Sequence, residues 1–323
     1  MLDTSQLRQI ILKRAEKRVR RREFFRNSGG LGIGLIAGAA LSACGSDNDA
    51  TAQTAAPTDP EILNFALNLE YLEAQFYQYA AFGVGLPSDL LTGVGTQGAV
   101  RGGRAVAFTD PVVAAYAREI ARDELDHVRF LRTALGASAV AQPAIDVGGT
   151  DPNGAFSVAA RAAGLIGPGV VFDPYASDEN FLLGAYIFED VGVTAYKGAS
   201  PLIQSKTFLE AAAGILAAEA YHAGLIRTVL YSKGVTTPAL RTATVAISDA
   251  RDSLDGSSDV DQGVIGATAD VSNIVPLDAN GIAFSRTPGD VLNIVYLTRE
   301  SVTQGGFFPA GVNGALNLSS AYA

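Results

Sequence analysis

The two histidines of the chain each follow a glutamate by three residues. Glu124 and His127 stand in the segment ARDELDHVRFLRTAL, and Glu219 and His222 stand in LAAEAYHAGLIRTVL. Residues three apart lie on one face of a helix, so each pair can bring a carboxylate and an imidazole to the same point. Oxygen-rich sets with imidazole suit iron or manganese, and the spacing does not distinguish these two metals.

The pairing of both histidines with a glutamate is specific. The chain has 12 glutamates among 323 residues, so this spacing before both histidines would arise by chance about once in 700 sequences. The alternative is that both glutamates lie on solvated helix faces, the usual place for this residue. Between Ala211 and Ile226, however, the only acid is Glu219 and the only basic residue is His222. That helix offers no solvated face, which favours a buried site.

Two further glutamates, Glu70 and Glu189, lie in similarly apolar segments. Each is followed seven residues later by a tyrosine, Tyr77 or Tyr196, and each histidine is followed five residues later by the dipeptide Arg-Thr. The chain therefore contains an internal repeat, in which two helix pairs are copies of one another. Two such pairs can build a symmetric site between them.

Four carboxylates that converge in an apolar core would repel one another and would cost several kcal/mol each. Two divalent cations would cancel the four negative charges, and neutral imidazoles would complete the coordination. One glutamate from each of two helices, with Glu-x-x-His from two others, is the known ligand pattern of di-metal carboxylate bundles. The predicted metal ligands are Glu70, Glu124, His127, Glu189, Glu219 and His222.

Five more residues lie near the predicted ligands along the same helices. Glu73 is either a proton carrier beside the ligands or a partly exposed salt-bridge partner. Tyr77 and Tyr196 either pack in the core with a hydrogen bond to a ligand or take a redox role. Arg132 and Arg227 either pair with acids near the site or cap helix ends. The sequence leaves these alternatives open.

Helical periodicity and capping residues predict the elements that must position the site. Asp59 and Asp110 each precede a proline and are expected to cap a helix, and Gly234 is expected to end the last one. The longest connection falls between the second and third helices, which predicts an all-α four-helix bundle with one long crossover. The four predicted helices cover about 59–81, 110–136, 178–198 and 204–233.

The remaining segments are expected to be rich in loops. Gly83 to Gly103 is expected to be a loop, and FSVAARAAGL a short helix within the crossover. The tail, residues 234–323, is expected to pack on the bundle or between subunits. It contains two predicted short helices, ISDARDSL and RTPGDVLNIVYL, and Thr287 with Asp290 supplies a capping box for the second.

Several segments resemble those of the ferritin-like superfamily, specifically the ferritin-like domain proteins that include exported bacterial members and plant desiccation-related proteins. The resemblance covers about 60–320 and rests on LNLEYLEAQFY, FEDVGVTAYKGA, FSRTPGDVLNIVY and GGFFPAGVNG. It implies that Glu70 with His127, and Glu189 with His222, are the terminal ligands of one metal each. Glu124 and Glu219 would then bridge the two metals.

The first 44 residues predict an export signal. A basic segment with Arg21 and Arg22 resembles a twin-arginine motif, a short apolar run follows, and LSAC at 41–44 resembles a lipobox that would lipidate Cys44. Residues 45–59 are small and polar and read as a tether, which leaves 60–233 for the bundle. The expected partners are the twin-arginine translocase and a membrane, reached through the lipid, at a bacterial periplasm or cell envelope. The translocase carries folded proteins, so metal could be loaded before export.

Composition and charge exclude other classes of function. Residues 1–44 hold nine of the 24 Lys and Arg and three of the 33 Asp and Glu, so without them the formal net charge changes from −9 to −15. Phosphates would be repelled, which argues against nucleic-acid binding. Cys44 is the only cysteine, so no intrachain disulfide can form. No phosphate-binding loop follows a strand, and no histidine is left to activate a nucleophile.

Three functions remain compatible with the sequence. The first is redox chemistry on peroxide or dioxygen in stress protection, as in a manganese-catalase-like dismutase, a peroxidase or an oxidase. The second is metal storage, which would need a closed cage and fits poorly with a lipid tether and a long tail. The third is a desiccation-related structural protein in which the metals only hold the bundle together. The sequence does not decide whether the protein is an enzyme, and it is compatible with a homo-oligomer.

Overall fold

Seven α-helices dominate the part of the chain that the computed structural model describes, residues 56–268 and 270–322. The predicted signal at 1–44, with Arg21, Arg22 and Cys44, lies outside those residues, as does most of the predicted tether. Within the described ranges, no helix combines the length and the apolar character needed to cross a membrane. The helices are α1 (Asp59–Phe82), α2 (Pro111–Leu135), α3 (Ala155–Ala162), α4 (Asp178–Ala199), α5 (Lys206–Thr236), α6 (Pro238–Asp252) and α7 (Pro288–Tyr296).

Four long helices form the bundle. Helix α1 packs along α2, and α4 packs along α5, while the two pairs meet where α1 contacts α4 and α2 contacts α5. The long connection between α2 and α4 carries the short helix α3. This arrangement confirms the predicted all-α bundle with one crossover, because the paired helices bury their apolar faces in a shared core.

The helix starts follow the predicted capping chemistry with one exception. The Asp110 side chain accepts a hydrogen bond from the Val112 backbone N–H, as an N-cap does. The cap of α1 is Thr58 and not Asp59, because Thr58 and Glu61 form a reciprocal capping box. Asp59 instead accepts hydrogen bonds from the backbone N–H groups of residues 204 and 205, and so links the start of α1 to the start of α5.

The prediction that Gly234 ends the fourth helix is wrong. Helix α5 continues to Thr236 and stops before Pro238, whose ring disfavours helical backbone in the residue that precedes it. Gly234 has a different role, since a Cβ atom there would collide with the Arg241 side chain packed from α6. The tail helix predicted only for ISDARDSL begins earlier, at Pro238, and packs against α5.

Two short strands occur where only loops were predicted. Strand β1 (Val100–Arg101) pairs in parallel with β2 (Ile145–Asp146) and joins the loop after α1 to the crossover. The tail packs against the same region, since the Asp146 N–H donates to the Phe307 carbonyl. The ring of Phe307 also contacts Phe156 and Phe188 edge-on. The tail thus covers one side of the bundle.

A buried ionic network fastens the tail to the bundle. Arg227 and Arg251 share the carboxylate of Asp190, at 2.7 and 3.1 Å. Three arginines face three aspartates, so their charges balance, and removal of one partner from such a network usually costs about 3–5 kcal/mol. Its members are Asp190 on α4, Arg227 on α5, Arg251 on α6, and Asp255, Asp261 and Arg286 in the tail.

Asp252, at the end of α6, makes the stability of the fold depend on pH. Burial, with the nearby Asp261 carboxylate, raises the pKa of Asp252 to about 7. The folded protein therefore holds this proton more tightly than the unfolded chain, and stability falls as pH rises from about 4 to about 7. We expect Asp252→Asn, which keeps the acceptor for the Val260 N–H, to add about 1 kcal/mol at pH 8 and little at pH 4, after allowance for its partial exposure.

Urea unfolding at both pH values measures this difference. Asp249→Asn, at an exposed position of the same helix, is the control and should change stability by less than about 0.5 kcal/mol at either pH. An equal gain from Asp252→Asn at pH 4 and pH 8 would refute the assignment.

Candidate metal centre

All six predicted ligand side chains meet in the middle of the bundle. They come from four helices, because the three-residue and seven-residue spacings place them on the faces that α1, α2, α4 and α5 turn toward one another. His127 is the most accessible, with 13% of its side chain exposed. The other five are buried, with exposures of 1% for Glu70, 0% for Glu124, 1% for Glu189, 0% for Glu219 and 3% for His222.

The carboxylate of Glu124 lies between the two histidines. Its Oε2 is 3.4 Å from Nδ1 of His127, and its Oε1 is 3.0 Å from Nδ1 of His222. Each histidine also faces the glutamate of another helix: His127 Nδ1 lies 3.1 Å from Glu70 Oε2, and His222 Nδ1 lies 3.7 Å from Glu189 Oε2. The site therefore has two halves, which share Glu124.

Glu219 is the second residue common to both halves. Its Oε1 lies 3.8 Å from Nδ1 of His127, which belongs to the other half of the site from His222, the histidine on the same helix as Glu219. Two groups of ligand atoms each fit within 4.8 Å, and Glu219 belongs to both. The groups are Glu70, Glu124, His127 and Glu219 on one side, and Glu189, Glu219 and His222 on the other.

Burial makes the acidic groups of the site hard to ionise. It raises the pKa of Glu70 to about 7 and that of Glu189 to about 8, from an ordinary 4.5. Burial, reinforced by the other carboxylates, also raises the pKa of Glu219 well above its ordinary value. A cation that binds here must displace these protons, so metal binding at neutral pH is expected to release protons.

For the histidines and Glu124, attraction between opposite charges outweighs burial, so their pKa values shift in favour of the charged forms. Burial alone lowers the pKa of His222, but the carboxylates, Glu189 first, outweigh it and raise that pKa to about 10. Burial alone raises the pKa of Glu124, but His127 and His222 outweigh it and leave it below its ordinary range. Glu124 is thus the acid that stays ionised between two protonated imidazoles when no metal is bound.

The polar atoms at the centre of the site fit divalent cations. Both oxygens of Glu124, both oxygens of Glu219, Oε2 of Glu189 and Nδ1 of His222 are buried and make no hydrogen bond within the described chain. Buried polar atoms normally have hydrogen-bond partners, and a buried carboxylate without hydrogen bonds costs several kcal/mol. Carboxylate oxygens and imidazole nitrogen are hard or borderline ligands, so iron and manganese suit this set.

Two tyrosines hold the outer glutamates by a crossed pair of hydrogen bonds. The Tyr77 hydroxyl of α1 donates to Oε1 of Glu189 on α4, and the Tyr196 hydroxyl of α4 donates to Oε1 of Glu70 on α1. Burial and the neighbouring carboxylates raise the pKa of both tyrosines well above its ordinary value. Both therefore remain hydrogen-bond donors, and each fixes one oxygen of its glutamate while the other oxygen faces the site.

One residue beside the site was missed by the sequence analysis. Asp123 precedes Glu124 on α2, and its Oδ2 lies 3.5 Å from Nε2 of His222. A carboxylate behind a metal-binding histidine orients the ring and makes it more basic. Asp123 has 41% of its side chain exposed. Nothing in the sequence distinguished it from an ordinary surface acid.

The repeated Arg-Thr offset also has a structural explanation. Arg227 is buried and pairs with Asp190 at 2.7 Å, and Arg132 donates to the Tyr71 hydroxyl at 2.5 Å and to the Thr92 carbonyl. In each helix pair, the arginine five residues after the histidine contacts the residue that directly follows the glutamate of the neighbouring helix. The two arginines therefore brace equivalent positions in the two copies.

Glu73 does not have the partly exposed salt bridge that was one alternative for it. Only 6% of it is exposed, and none of the ion pairs within the described chain includes it. Burial, and the nearby Glu124 and Glu189 carboxylates, raise its pKa well above 4.5. Glu73 is thus a fifth buried acid beside the six predicted ligands.

Gly192 makes room for these carboxylates. It lies one turn after Glu189 on α4, and a Cβ atom there would collide with Oε2 of Glu219. We expect Gly192→Ala to displace that carboxylate and to lower metal affinity about 10- to 100-fold, the usual range when a neighbour that orients a ligand is changed. Competition with a chelator of known affinity measures the change.

A glycine elsewhere in the bundle supplies the control. A Cβ atom at Gly214 of α5 would meet nothing within 4 Å. Gly214→Ala should keep wild-type metal affinity and gain up to about 1 kcal/mol of helix stability. If Gly192→Ala bound metal as tightly as Gly214→Ala, the space beside Glu219 would have no role in binding.

Comparisons with known proteins agree with this geometry. A family model described as a ferritin-like domain matches residues 58–232, which span the bundle except for the last turn of α5. A desiccation-related protein of Craterostigma plantagineum is 31% identical over 80% of this chain and 83% of its own. A ferritin-like catalase of Nesocodon mauritianus is 30% identical over 80% of this chain and 84% of its own. No solved structure matches the chain at a significant level. The chain belongs to the ferritin-like domain family.

Proposed function

We propose that the protein is a di-metal carboxylate protein that dismutates hydrogen peroxide. Glu70 with His127 would hold one metal, and Glu189 with His222 the other, while Glu124 and Glu219 would bridge them. The observation that carries the proposal is the set of buried carboxylate and imidazole atoms without hydrogen bonds, which two divalent cations would satisfy. Iron and manganese both suit these ligands.

The burial of the site favours a small substrate. A pair of such metals supplies two-electron exchange with peroxide or dioxygen when bound. The chain itself contributes a dry setting, since five of the six ligand residues are at most 3% exposed. Tyr77 and Tyr196 hold the outer glutamates in fixed orientations, and Asp123 orients His222. Among the ligands only His127 reaches the surface, so a bulky organic substrate has no room at the metals.

The catalase relative supports peroxide over other small oxidants. That protein is named a ferritin-like catalase, and it aligns with four-fifths of this chain. Dismutation also needs no external reductant, because hydrogen peroxide serves as both the oxidant and the reductant in that reaction. An oxidase or a storage protein would need an electron donor or a cage in addition to the site.

Metal analysis and oxygen measurement together test the proposal. Purified protein should contain two iron or manganese ions per chain and should release one oxygen molecule for every two peroxide molecules consumed. Glu124→Gln should lose both the metals and the oxygen release. Oxygen consumption without peroxide dismutation would instead indicate an oxidase, and metal-loaded protein without any turnover would refute the enzymatic proposal.

A structural role in desiccation tolerance is the second candidate. The observation that favours it is the similarity to a desiccation-related protein over the same span. In that role the metals would only neutralise the buried acids and hold the four helices together. Metal-dependent thermal stability without turnover is the result that would favour it over dismutation.

We also propose that the protein is exported in folded form and anchored by a lipid at Cys44. The supporting observations are Arg21, Arg22 and the segment LSAC at 41–44. Replacing both arginines by lysine should retain the protein in the cytoplasm, whereas Cys44→Ser should allow export but release the protein from the membrane fraction. Unchanged fractionation of either variant would contradict the corresponding part of the proposal.

A further inference from the structure

The internal symmetry of the site is broken at one pair of positions. Glu70 and Glu189 occupy equivalent places in the two helix pairs, as do Tyr77 and Tyr196. Three residues after each glutamate, however, α1 has Glu73 and α4 has Gly192. One half of the site therefore gains a carboxyl group where the other half lacks any side chain.

The two unequal positions lie next to each other in the structure. A Cβ atom at Gly192 would lie 3.5 Å from Oε1 of Glu73 and would collide with Oε2 of Glu219. Glu73 and Gly192 therefore face the same space beside a predicted bridging ligand. The side chain missing from one helix creates the room that the extra carboxyl of the other helix enters.

A small cavity opens at this place, under the tail. Its volume is ≈ 10 Å³, about the room that one water molecule needs. Its lining is apolar except for Glu73 and is shared between the bundle and α7. Lining residues include Leu72, Glu73, Ile187, Gly192, Val295 and Phe307.

Glu73 has no structural reason to be an acid. Only 6% of it is exposed, no ion pair within the described chain includes it, and it adds a further carboxyl to a site already rich in carboxylates. Leucine would suit the apolar lining better, and the glutamate is not part of the ligand pattern found on the other three helices. A buried polar group that the fold does not need is a candidate for contact with a bound molecule.

We propose that this cavity is the chamber through which hydrogen peroxide approaches the metals, and that Glu73 is the positioning residue that hydrogen-bonds it there. The inference rests on the proposed function. Gly192 has no side chain to stand between the chamber and the Glu219 carboxylate. A molecule that Glu73 holds there therefore lies beside Glu219, a predicted bridging ligand. The tail then has a role, since Val295 of α7 and Phe307 form part of the chamber wall.

Variants of the metal-loaded protein test the chamber. Val295→Ile adds one methylene to its wall and should raise the dissociation constant of azide, followed by its metal-to-ligand absorption band, at least fivefold. The same variant should raise the KM for peroxide by a similar factor with kcat nearly unchanged. Metal content should remain at the wild-type value, because Val295 belongs to neither group of predicted ligand residues.

Glu73 is tested by two substitutions of different polarity. Glu73→Leu should raise the KM for peroxide about tenfold, whereas Glu73→Gln, which keeps hydrogen-bonding groups, should restore most of the affinity. A purely structural role would make the two variants alike. Equal KM values for both variants and the wild type would overturn the assignment.

A second cavity of the molecule provides the matched control. It is ≈ 30 Å³ in volume, lies between α3, α6 and α7, and is lined by Ala250 among others. Ala250→Val narrows that cavity and should leave azide affinity and KM unchanged. If Val295→Ile and Ala250→Val gave the same azide affinity as the wild type, the chamber would be refuted even in an active enzyme. If the wild type binds azide but releases no oxygen, the proposed function fails and the azide result for Val295→Ile still decides the chamber.

Discussion

Replacing Glu219 by glutamine is expected to remove the metals and, at the same time, to stabilise the metal-free protein. Glu219 is completely buried, and both of its oxygens lack hydrogen bonds within the described chain. A cation would satisfy these atoms, but without one the buried carboxyl must take up a proton to avoid repulsion from the neighbouring carboxylates. Glutamine has nearly the same shape without the charge, so it removes a ligand and a destabilising group together.

The size of this stabilisation depends on pH. Burial raises the pKa of Glu219 well above its ordinary value, so the folded metal-free protein binds a proton that the unfolded chain has already lost at neutral pH. Stability of the metal-free wild type therefore falls as pH rises above about 4.5. Glu219→Gln should be about 2 kcal/mol more stable than the wild type at pH 8, and about equal to it at pH 4.

Urea unfolding of chelator-treated protein and metal analysis of loaded protein measure the two effects. Glu210→Gln, at an exposed position of the same helix, should keep the metals and change stability by less than about 0.5 kcal/mol. A Glu219→Gln variant that kept both metals, or that was less stable than the wild type without metal, would show that the residue serves the fold and not the cations.

Local periodicity, together with the known ligand pattern of di-metal carboxylate bundles, was enough to predict which residues are the ligands. A helix repeats every 3.6 residues, so Glu219 and His222 had to share a face, and the lack of other charges nearby meant that this face was buried. The repeat then implied a second pair, Glu124 with His127, on an equivalent helix. No long-range information was needed for these inferences.

The partners of the ligands could not be inferred in the same way. Tyr77 was expected on the face of Glu70, and it lies there, but its hydroxyl bonds to Glu189 of another helix. The choice depends on how far the two helix pairs are rotated against each other, which no local pattern specifies. Asp123 was missed for the same reason, because only the approach of α5 turns a surface acid into the partner of His222.

Boundaries failed where a tertiary contact outweighed a local preference. Glycine commonly ends helices, so Gly234 was the natural stop for α5. In the structure its small size serves close packing with Arg241, and the stop is set by Pro238. The ionic network around Asp190 was equally hidden, since Arg251 and Asp261 come from a tail without a helical period.

Replacing Tyr77 or Tyr196 by phenylalanine is the second large effect that we expect. Each hydroxyl fixes one oxygen of a glutamate on the opposite helix pair, and loss of such an orienting bond typically costs 10- to 100-fold in metal affinity. Tyr77→Phe should weaken mainly the position held by Glu189 and His222, and Tyr196→Phe mainly the position held by Glu70. The two effects should nearly add in the double variant, because the hydroxyls serve different halves of the site.

Stepwise titration of metal-free protein against a chelator separates the two halves. Tyr175→Phe is the matched control, since that buried hydroxyl donates to the Val147 carbonyl and contacts no predicted ligand. It should cost about 1 kcal/mol of stability and leave both metal affinities unchanged. If each tyrosine variant instead lost both metals equally, the two positions would bind as one unit. If neither variant lost affinity, the two tyrosines would serve only to pack the core. Phenylalanine can replace tyrosine in packing, but it cannot donate the hydrogen bond that orients a glutamate.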